Sequence, residues 1–216
     1  MNITVSAQSD IKIVPYGDFF TIAEHKEKVA EIINIPSDKL DDYCKQKHIE
    51  YIAVNSDNSK QIRIACATTD FSNSVVNISL LSDDKITELI PQITDISGVT
   101  GKVIDKNGQK FIKTELRSKD SGGEYILTQY FTVADKKSYT LSFYTNFGDD
   151  LDYTEKTFES YESDIFLKDT AEEKSFLNFA LPIGATVFAL AFIIIAITVI
   201  KDLIKKHSLK KEETDN

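Results

Sequence analysis

The most constraining feature of this 216-residue chain is an uncharged stretch of 22 residues that runs from Phe179 to Ile200. A helix rises about 1.5 Å per residue, so a helix of this length would cover about 33 Å, enough for the roughly 30 Å hydrocarbon core of a bilayer. Only a helix satisfies its own backbone hydrogen bonds in that environment. The stretch therefore predicts one transmembrane helix within residues 176–200, with Phe179 and Ile200 at its two ends.

The charges on the two sides of this span differ. Residues 168–175 form a charged linker of mixed sign, whereas five lysines follow the span within eleven residues, opposed by Asp202: Lys201, Lys205, Lys206, Lys210 and Lys211. By the positive-inside rule, residues 201–216 are a basic cytoplasmic tail and the N-terminal part is extracytoplasmic. The same lysines are inner-leaflet residues that either attract anionic lipids or do no more than fix the orientation.

An extracytoplasmic domain requires an export signal, and residues 1–20 contain no apolar segment of the usual length. Val5-Ser6-Ala7 has the small-x-small form of a signal-peptidase site, so residues 1–7 are interpreted as the remnant of a cleavage region. The alternative topology is a tail anchor, in which the globular domain stays in the cytosol and the short basic end crosses the membrane.

The charge balance excludes one class of partner. The chain carries 25 Lys+Arg and 34 Asp+Glu, and removing the tail's 5 lysines and 4 acidic residues leaves 20 against 30 in residues 1–200. An acidic domain repels phosphate backbones, so nucleic acid is not expected as a partner. The expected partners are the lipid bilayer and an extracytoplasmic protein or peptide.

Residues 8–167 have the length and the hydrophobic content of one globular domain. Apolar residues at helical spacing predict a helix that ends at Pro36, and Ser37 is the expected N-cap of a second helix with an apolar stripe at Leu40, Tyr43 and Cys44. Further helices are predicted after Ser82, interrupted near Leu89 by Pro91, and after Gly148, with Leu151, Phe158, Tyr161 and Ile165 on one face.

Strands are predicted from alternating or continuous apolar runs that are bounded by turn residues. Asn107-Gly108 suits the positive φ angles of a tight hairpin, and Asp135-Lys136-Lys137 is a second turn. The expected strands span residues 11–14, 49–55, 61–68, 75–81, 100–105, 110–117, 124–134 and 138–146. Together they predict an α+β fold in which a hairpin and a meander form an antiparallel sheet covered by helices, with residues 124–134 as a central strand.

A strand with the pattern Tyr139, Leu141, Phe143, followed by a helix with Phe158 and Ile165, resembles the PsbP-like α/β/α sandwich. The segment Leu40 to Tyr43, ahead of a strand hairpin, is similar to Gram-positive extracytoplasmic, membrane-anchored proteins of unknown function. The resemblance implies the shape of a bacterial domain and no functional side chain.

The chemistry-bearing residues form no recognisable motif. His25, His48 and His207 lack a second ligand at metal spacing, so neither a metal site nor a cofactor is expected. Cys44 and Cys66 are expected to point into the same core as free thiols, with a disulfide as the alternative. The acidic residues from Asp149 to Glu155 are expected to stabilise a helix N-terminus.

No catalytic residue is predicted. The sequence therefore favours a single-pass membrane protein that displays a non-catalytic extracytoplasmic domain, which binds a protein, a peptide or an envelope component. Two alternatives remain: a tail-anchored cytosolic adaptor, and an enzyme whose site forms only in the folded chain.

Overall fold

The computed structural model describes residues 3–5, 11–93, 99–120, 123–146 and 152–163. The predicted span with its ends Phe179 and Ile200, the linker before it and the basic tail from Lys201 to Lys211 lie outside these residues. Within the described part of the chain, no helix combines the length and the apolar character needed to cross a membrane.

The centre of the domain is a seven-stranded antiparallel sheet, which we call the main sheet. Its strands lie in the order β3-β4-β5-β9-β8-β7-β6, so the predicted hairpin and the predicted meander join through the pairing of β5 with β9. The strands are β3 (Phe20–Thr21), β4 (Ile49–Val54), β5 (Lys60–Ala67), β6 (Val99–Lys106), β7 (Gln109–Asp120), β8 (Gly123–Ala134) and β9 (Lys137–Asn146).

A second, three-stranded antiparallel sheet was not predicted as a whole. It consists of β1 (Ile3–Val5), β2 (Ile11–Ile13) and β10 (Glu162–Ser163), with β2 in the middle. Of these strands the sequence indicated β2 alone, because strands of two or three residues are too short to show an alternation. Ile3–Val5 falls within the predicted cleavage remnant and pairs with β2.

Five α-helices and two short 3-10 turns complete the described residues. The helices are α1 (Lys26–Ile32), α2 (Leu40–Gln46), α3 (Asp70–Val75), α4 (Asp83–Ile93) and α5 (Asp152–Glu159), and the 3-10 turns are Ser37–Lys39 and Ile78–Leu80. The α+β class, with an antiparallel sheet covered by helices, is therefore confirmed.

The hairpins follow from turn chemistry that the sequence reveals locally. Asn107 and Gly108 have φ angles of 55° and 80°, and Asp135 and Lys136 have φ angles of 46° and 60°. Two consecutive positive φ values match the twist of the flanking strands, so both turns fix the register of the meander. The predicted central position of β8 is also confirmed, because it pairs with β7 and β9 and is buried from Tyr125 to Ala134.

The two faces of the main sheet are covered differently. One face, which we call the aromatic face, packs on α5 and β2 through a single cluster that includes Phe111, Tyr130, Tyr139, Phe143 and Phe158. The opposite face, which we call the split face, carries two separate clusters. One joins α1 and α2 to β4, and the other joins α3 and α4 to β7 and β8.

The prediction of a strand at residues 75–81 is wrong. Thr69 accepts from Ser72 N and Ser72 accepts from Thr69 N, a reciprocal cap that begins α3 at Asp70. Asn77 then accepts from Ser79 N and starts a 3-10 turn. The buried apolar residues of this segment recur every three to four positions and face α4 and the sheet as a helical surface would: Phe71, Val75, Ile78 and Leu81.

Three smaller predictions also differ from the structure. Ser37 begins a 3-10 turn whose N-cap is Pro36, so Ser37 is not the N-cap of α2. Helix α4 continues past Pro91 to Ile93, so of the predicted stop or kink near Leu89 the stop is wrong. The buried side of α5 is formed by Tyr153, Thr154, Thr157 and Phe158, while Tyr161 is buried just after the helix and Leu151 and Ile165 lie outside the described residues.

Candidate functional site

Four polar side chains lie side by side across the middle of the split face. Ser142 on β9 is directly opposite Arg63 on β5 and Gln129 on β8, and Gln129 is in turn opposite Thr114 on β7. Directly paired residues project from the same side of a sheet. Arg63, Ser142, Gln129 and Thr114 therefore form one continuous row, which we call the polar row.

The polar row lies between the two helical clusters of the split face. At its β5 end, Arg63 is opposite Ile52, which belongs to the cluster of α1 and α2. Phe131 lies two residues from Gln129 on β8, and Ile112 lies two residues from Thr114 on β7. Both belong to the cluster of α3 and α4. The row thus interrupts the apolar packing of this face at the place where the helical cover divides.

The interior of the row is held by a buried hydrogen bond. Gln129 Nε2 donates to Ser142 Oγ at 2.9 Å, and the two residues are 3% and 6% exposed. Thr114 beside them is also buried. A buried amide and hydroxyl are stabilised by such a bond and destabilise the fold without it.

Arg63 is oriented at one end of the row by neutral partners. Its Nη1 donates to Tyr43 Oη at 2.9 Å, and its Nε and Nη2 donate to Gln61 Oε1 at 3.2 and 2.9 Å. Gln61 is fixed in turn, because its Nε2 donates to Asn58 Oδ1 at 2.7 Å. The guanidinium is therefore held against β5 and α2 by a phenol and an amide, and none of the ion pairs within the described residues includes it.

The two cysteines do not meet in one core, so that part of the prediction is wrong. Cys44 packs in the α1–α2 cluster on the split face, and Cys66 packs against the aromatic face. Both are free thiols, as the sequence favoured. Burial raises the pKa of Cys66 to about 11, with Glu50 adding to the effect, and burial together with Asp41 raises the pKa of Cys44.

The remaining sequence candidates stay apart in the structure. His25 and His48 are exposed, and His207 lies outside the described residues. Of the acidic cluster, Asp152 pairs with Lys156 and Glu155 pairs with Lys113, each at 3.3 Å. In the described ranges, no group of three His, Cys, Asp or Glu residues could hold a metal ion.

Sequence reasoning missed the polar row because its members come from four strands, and their alignment depends on the pairing of β5 with β9. One local signal could have drawn attention to it. Arg63 is a charged residue in the middle of an apolar strand, between Ile62 and Ile64, and it is one of two arginines in the chain.

The comparisons with known proteins add a likeness of fold. No protein-family model matches the chain, and no curated protein matches it in sequence. Among solved structures, it is similar to a crystal structure of a protein from Bacteroides thetaiotaomicron, at 11% identity and a TM-score of 0.45, over 71% of this chain and 45% of that one. The chain thus spans less than half the length of that protein.

It is also similar to the solution structure of the cyanobacterial PsbP (CyanoP) from Synechocystis sp. PCC 6803. The identity is 10% and the TM-score 0.43, over 76% of this chain and 91% of that one. The resemblance to PsbP-like domains that the sequence predicted thus reappears among the solved structures, as a likeness of fold that says nothing about a ligand or an activity.

Proposed function

We propose that this chain is a single-pass membrane protein whose α+β domain lies outside the cell and binds a protein, a peptide or an envelope component at the Arg63 end of the polar row. The observation that carries the proposal is the row itself. Hydrogen-bonding side chains cross four adjacent strands at the centre of the sheet, where apolar residues would have packed the helices more completely.

The chemistry of the row supports binding over catalysis. Its hydroxyl, amide and guanidinium groups donate and accept hydrogen bonds but do not exchange protons near neutral pH. The two thiols elsewhere in the domain are poor nucleophiles, because a raised pKa keeps each of them protonated under those conditions.

The membrane anchor and the orientation are supported by the sequence. The uncharged stretch from Phe179 to Ile200 has the length of a span, and the five lysines after it favour a cytoplasmic C-terminus. In this arrangement residues 168–175 connect the domain to the outer side of the bilayer, and the domain lies in the cell envelope.

Site-specific photo-crosslinking in intact cells tests the binding surface. Tyr144 is half-buried on β9, two residues from Ser142 on the same face, and Tyr16 is 52% exposed on a loop next to α5. A photoreactive residue at position 144 should give a distinct crosslinked envelope component, and the same residue at position 16 should not. The same crosslink from both positions would contradict a role for the row.

Protease added to the same intact cells tests the orientation. We expect the domain to be degraded while the C-terminal tail stays protected. A protected domain would instead identify a tail-anchored cytosolic adaptor, and the crosslinked partner would then be a cytosolic protein.

A further inference from the structure

We propose that Arg63 is a binding site for a carboxylate group of the ligand. The inference rests on the proposed binding function and specifies the ligand's chemistry at one end of the polar row. The carboxylate belongs either to the C-terminus of a peptide or to a free organic acid, and both sources present the same two oxygens to the guanidinium.

The use of arginine in this chain is selective. Of the 25 Lys+Arg residues, two are arginine, Arg63 and Arg117, so lysine serves at almost every solvated cationic position. Arginine differs from lysine in presenting a rigid, planar set of donors that matches the two oxygens of a carboxylate. Arg117 pairs with a carboxylate within the chain, because its Nε donates to Glu115 Oε1 at 3.0 Å.

Arg63 has the same donors but no carboxylate among the described residues. Its three hydrogen bonds to Tyr43 and Gln61 use three of the five N–H groups of a guanidinium. One N–H on Nη1 and one on Nη2 remain. The two terminal nitrogens of a guanidinium can donate in parallel to the two oxygens of one carboxylate, which is the strong, directional form of the interaction.

The charge of Arg63 also calls for a counterion. A half-buried cation without an anion is destabilising, and hydrogen bonds to neutral oxygens offset only part of the loss of hydration. The nearby Asp41 is engaged elsewhere, because its carboxylate accepts from Lys26 Nζ at 2.7 Å. A ligand carboxylate would supply the missing charge.

The surroundings favour a carboxylate over a phosphate. The site offers one positive charge within a chain of net charge −9, a field that opposes a dianion more strongly than a monoanion. Next to Arg63 the row continues with a hydroxyl and an amide, Ser142 and Gln129. Both groups are neutral, so the row adds no second positive charge that would favour a dianion.

The arginine Nε–Hε signals of the ¹⁵N-labelled full-length protein in nanodiscs give a direct test. Two signals are expected, and Arg117→Lys assigns them by removing one. Acetyl-Ala-Ala with a free carboxylate should shift the Arg63 signal in a saturable manner, whereas its C-terminal amide and inorganic phosphate should not. Acetate at matched concentration distinguishes a free acid from a peptide terminus as the preferred source.

The variants separate the carboxylate site from the general binding function. Arg63→Gln should weaken carboxylate binding by about 10- to 100-fold, the effect of losing hydrogen bonds to a charged group. Arg63→Lys should also bind weakly, because it keeps the charge and loses the paired donors, and Arg117→Gln should bind as the parent does. The backbone amide spectrum of each variant reports whether the domain is folded.

Several outcomes would overturn the inference. The first two are an Arg63 signal that does not shift when the peptide carboxylate is added, and a shift of the Arg117 signal as large as that of Arg63. The other two are tighter binding of phosphate than of the carboxylate, and an Arg63→Gln variant that binds the carboxylate as tightly as the parent. If Arg63→Gln keeps the crosslink from position 144, the binding function stands and the carboxylate site is wrong. If the parent chain gives no specific crosslink, the proposed function itself fails.

Discussion

The two faces of the main sheet are formed by the same strands but are packed in different ways. On the aromatic face, Phe158 stacks on Tyr130 at a ring-centroid distance of 3.8 Å and meets Phe111 edge-on at 5.2 Å. On the split face, two smaller and mainly aliphatic clusters flank the polar row. The aromatic face forms one continuous apolar cluster, and the split face has a strip of hydrogen-bonding groups between its two clusters.

This difference indicates where stability and function reside. Large aromatic rings bury much apolar surface and add specific edge and stacking interactions, so the aromatic face should dominate the free energy of unfolding. A buried polar row contributes little net stability even when it is fully hydrogen-bonded. In the proposed function, the row at the centre of the sheet serves recognition more than folding.

Alkaline pH should produce the largest effect, because it acts on the aromatic face at several places at once. Burial raises the pKa of four tyrosines there, Tyr51, Tyr130, Tyr139 and Tyr153, above the ordinary value of 10.0, and raises that of Cys66 from 9.0 to about 11. Each group is neutral in the folded state and ionises earlier in the unfolded chain. The folded state then binds more protons, so its stability falls as pH rises.

We therefore expect the urea midpoint to be constant from neutral pH to pH 9.0 and to fall from there through pH 11 and beyond. Tyr51→Phe is a matched control, since its hydroxyl has no hydrogen-bond partner within the described residues. This variant should be at least as stable as the parent at neutral pH and less sensitive to alkali. A midpoint independent of pH up to 11 would contradict the burial of these phenols.

Phe158→Ala should give the next largest effect. The substitution removes a buried ring that contacts three others, Phe111, Tyr130 and Tyr161. Such a cavity costs about 3–5 kcal/mol in the free energy of unfolding, measured by urea denaturation. Phe71→Ala on the split face is the matched control. Phe71 lies on the six-residue helix α3, which can relax into the cavity, so its loss should be near the lower end of that range. A larger loss at Phe71 would reverse the comparison between the faces.

Much of the fold could be predicted from the sequence because its signals are local. Two-residue turns at Asn107-Gly108 and Asp135-Lys136 and the alternation along β8 and β9 fix the meander without knowledge of tertiary contacts. The segment at residues 75–81 was misread, because a short apolar run does not distinguish a strand from short helical pieces that pack on a sheet.

The candidate site could not be predicted in the same way. Ser142 meets Arg63 through a pairing of strands that are about 80 residues apart in the chain, and a shift of one residue would turn one of them to the other face. The two cysteines were misplaced for a related reason. Their apolar surroundings are visible in the sequence, but the face of the sheet to which each one belongs is not.

A double-mutant cycle within the polar row should show an effect of intermediate size. Ser142→Ala alone leaves the Gln129 amide buried without its hydroxyl partner, which should cost about 1–3 kcal/mol in the free energy of unfolding. Gln129→Leu combined with Ser142→Ala replaces both polar groups and should restore most of that loss. Urea denaturation of the four chains measures the coupling.

The double variant also separates stability from recognition. It should fold well and lose the crosslink from position 144, since the hydroxyl and the amide are gone. A double variant that is stable and still binds would show that the row is a feature of packing. A double variant that is much less stable than either single variant would show that the row serves folding.

Thr69→Ala, at the start of α3 on the split face, should give the smallest effect. Thr69 Oγ1 accepts from Ser72 N at 3.0 Å and contacts Ser138 Oγ at 3.3 Å, so it ties the start of α3 to β9. Loss of an N-cap of this type costs about 1 kcal/mol. Hydrogen exchange should then accelerate in α3 while the amides of β8 and β9 stay protected, because fraying of six residues leaves the main sheet paired.

Thr69→Ser, which keeps the hydroxyl, should leave exchange in α3 unchanged. If exchange rose equally in β8, the cap would support the sheet as a whole, and the two faces would not be as independent as their separate clusters indicate.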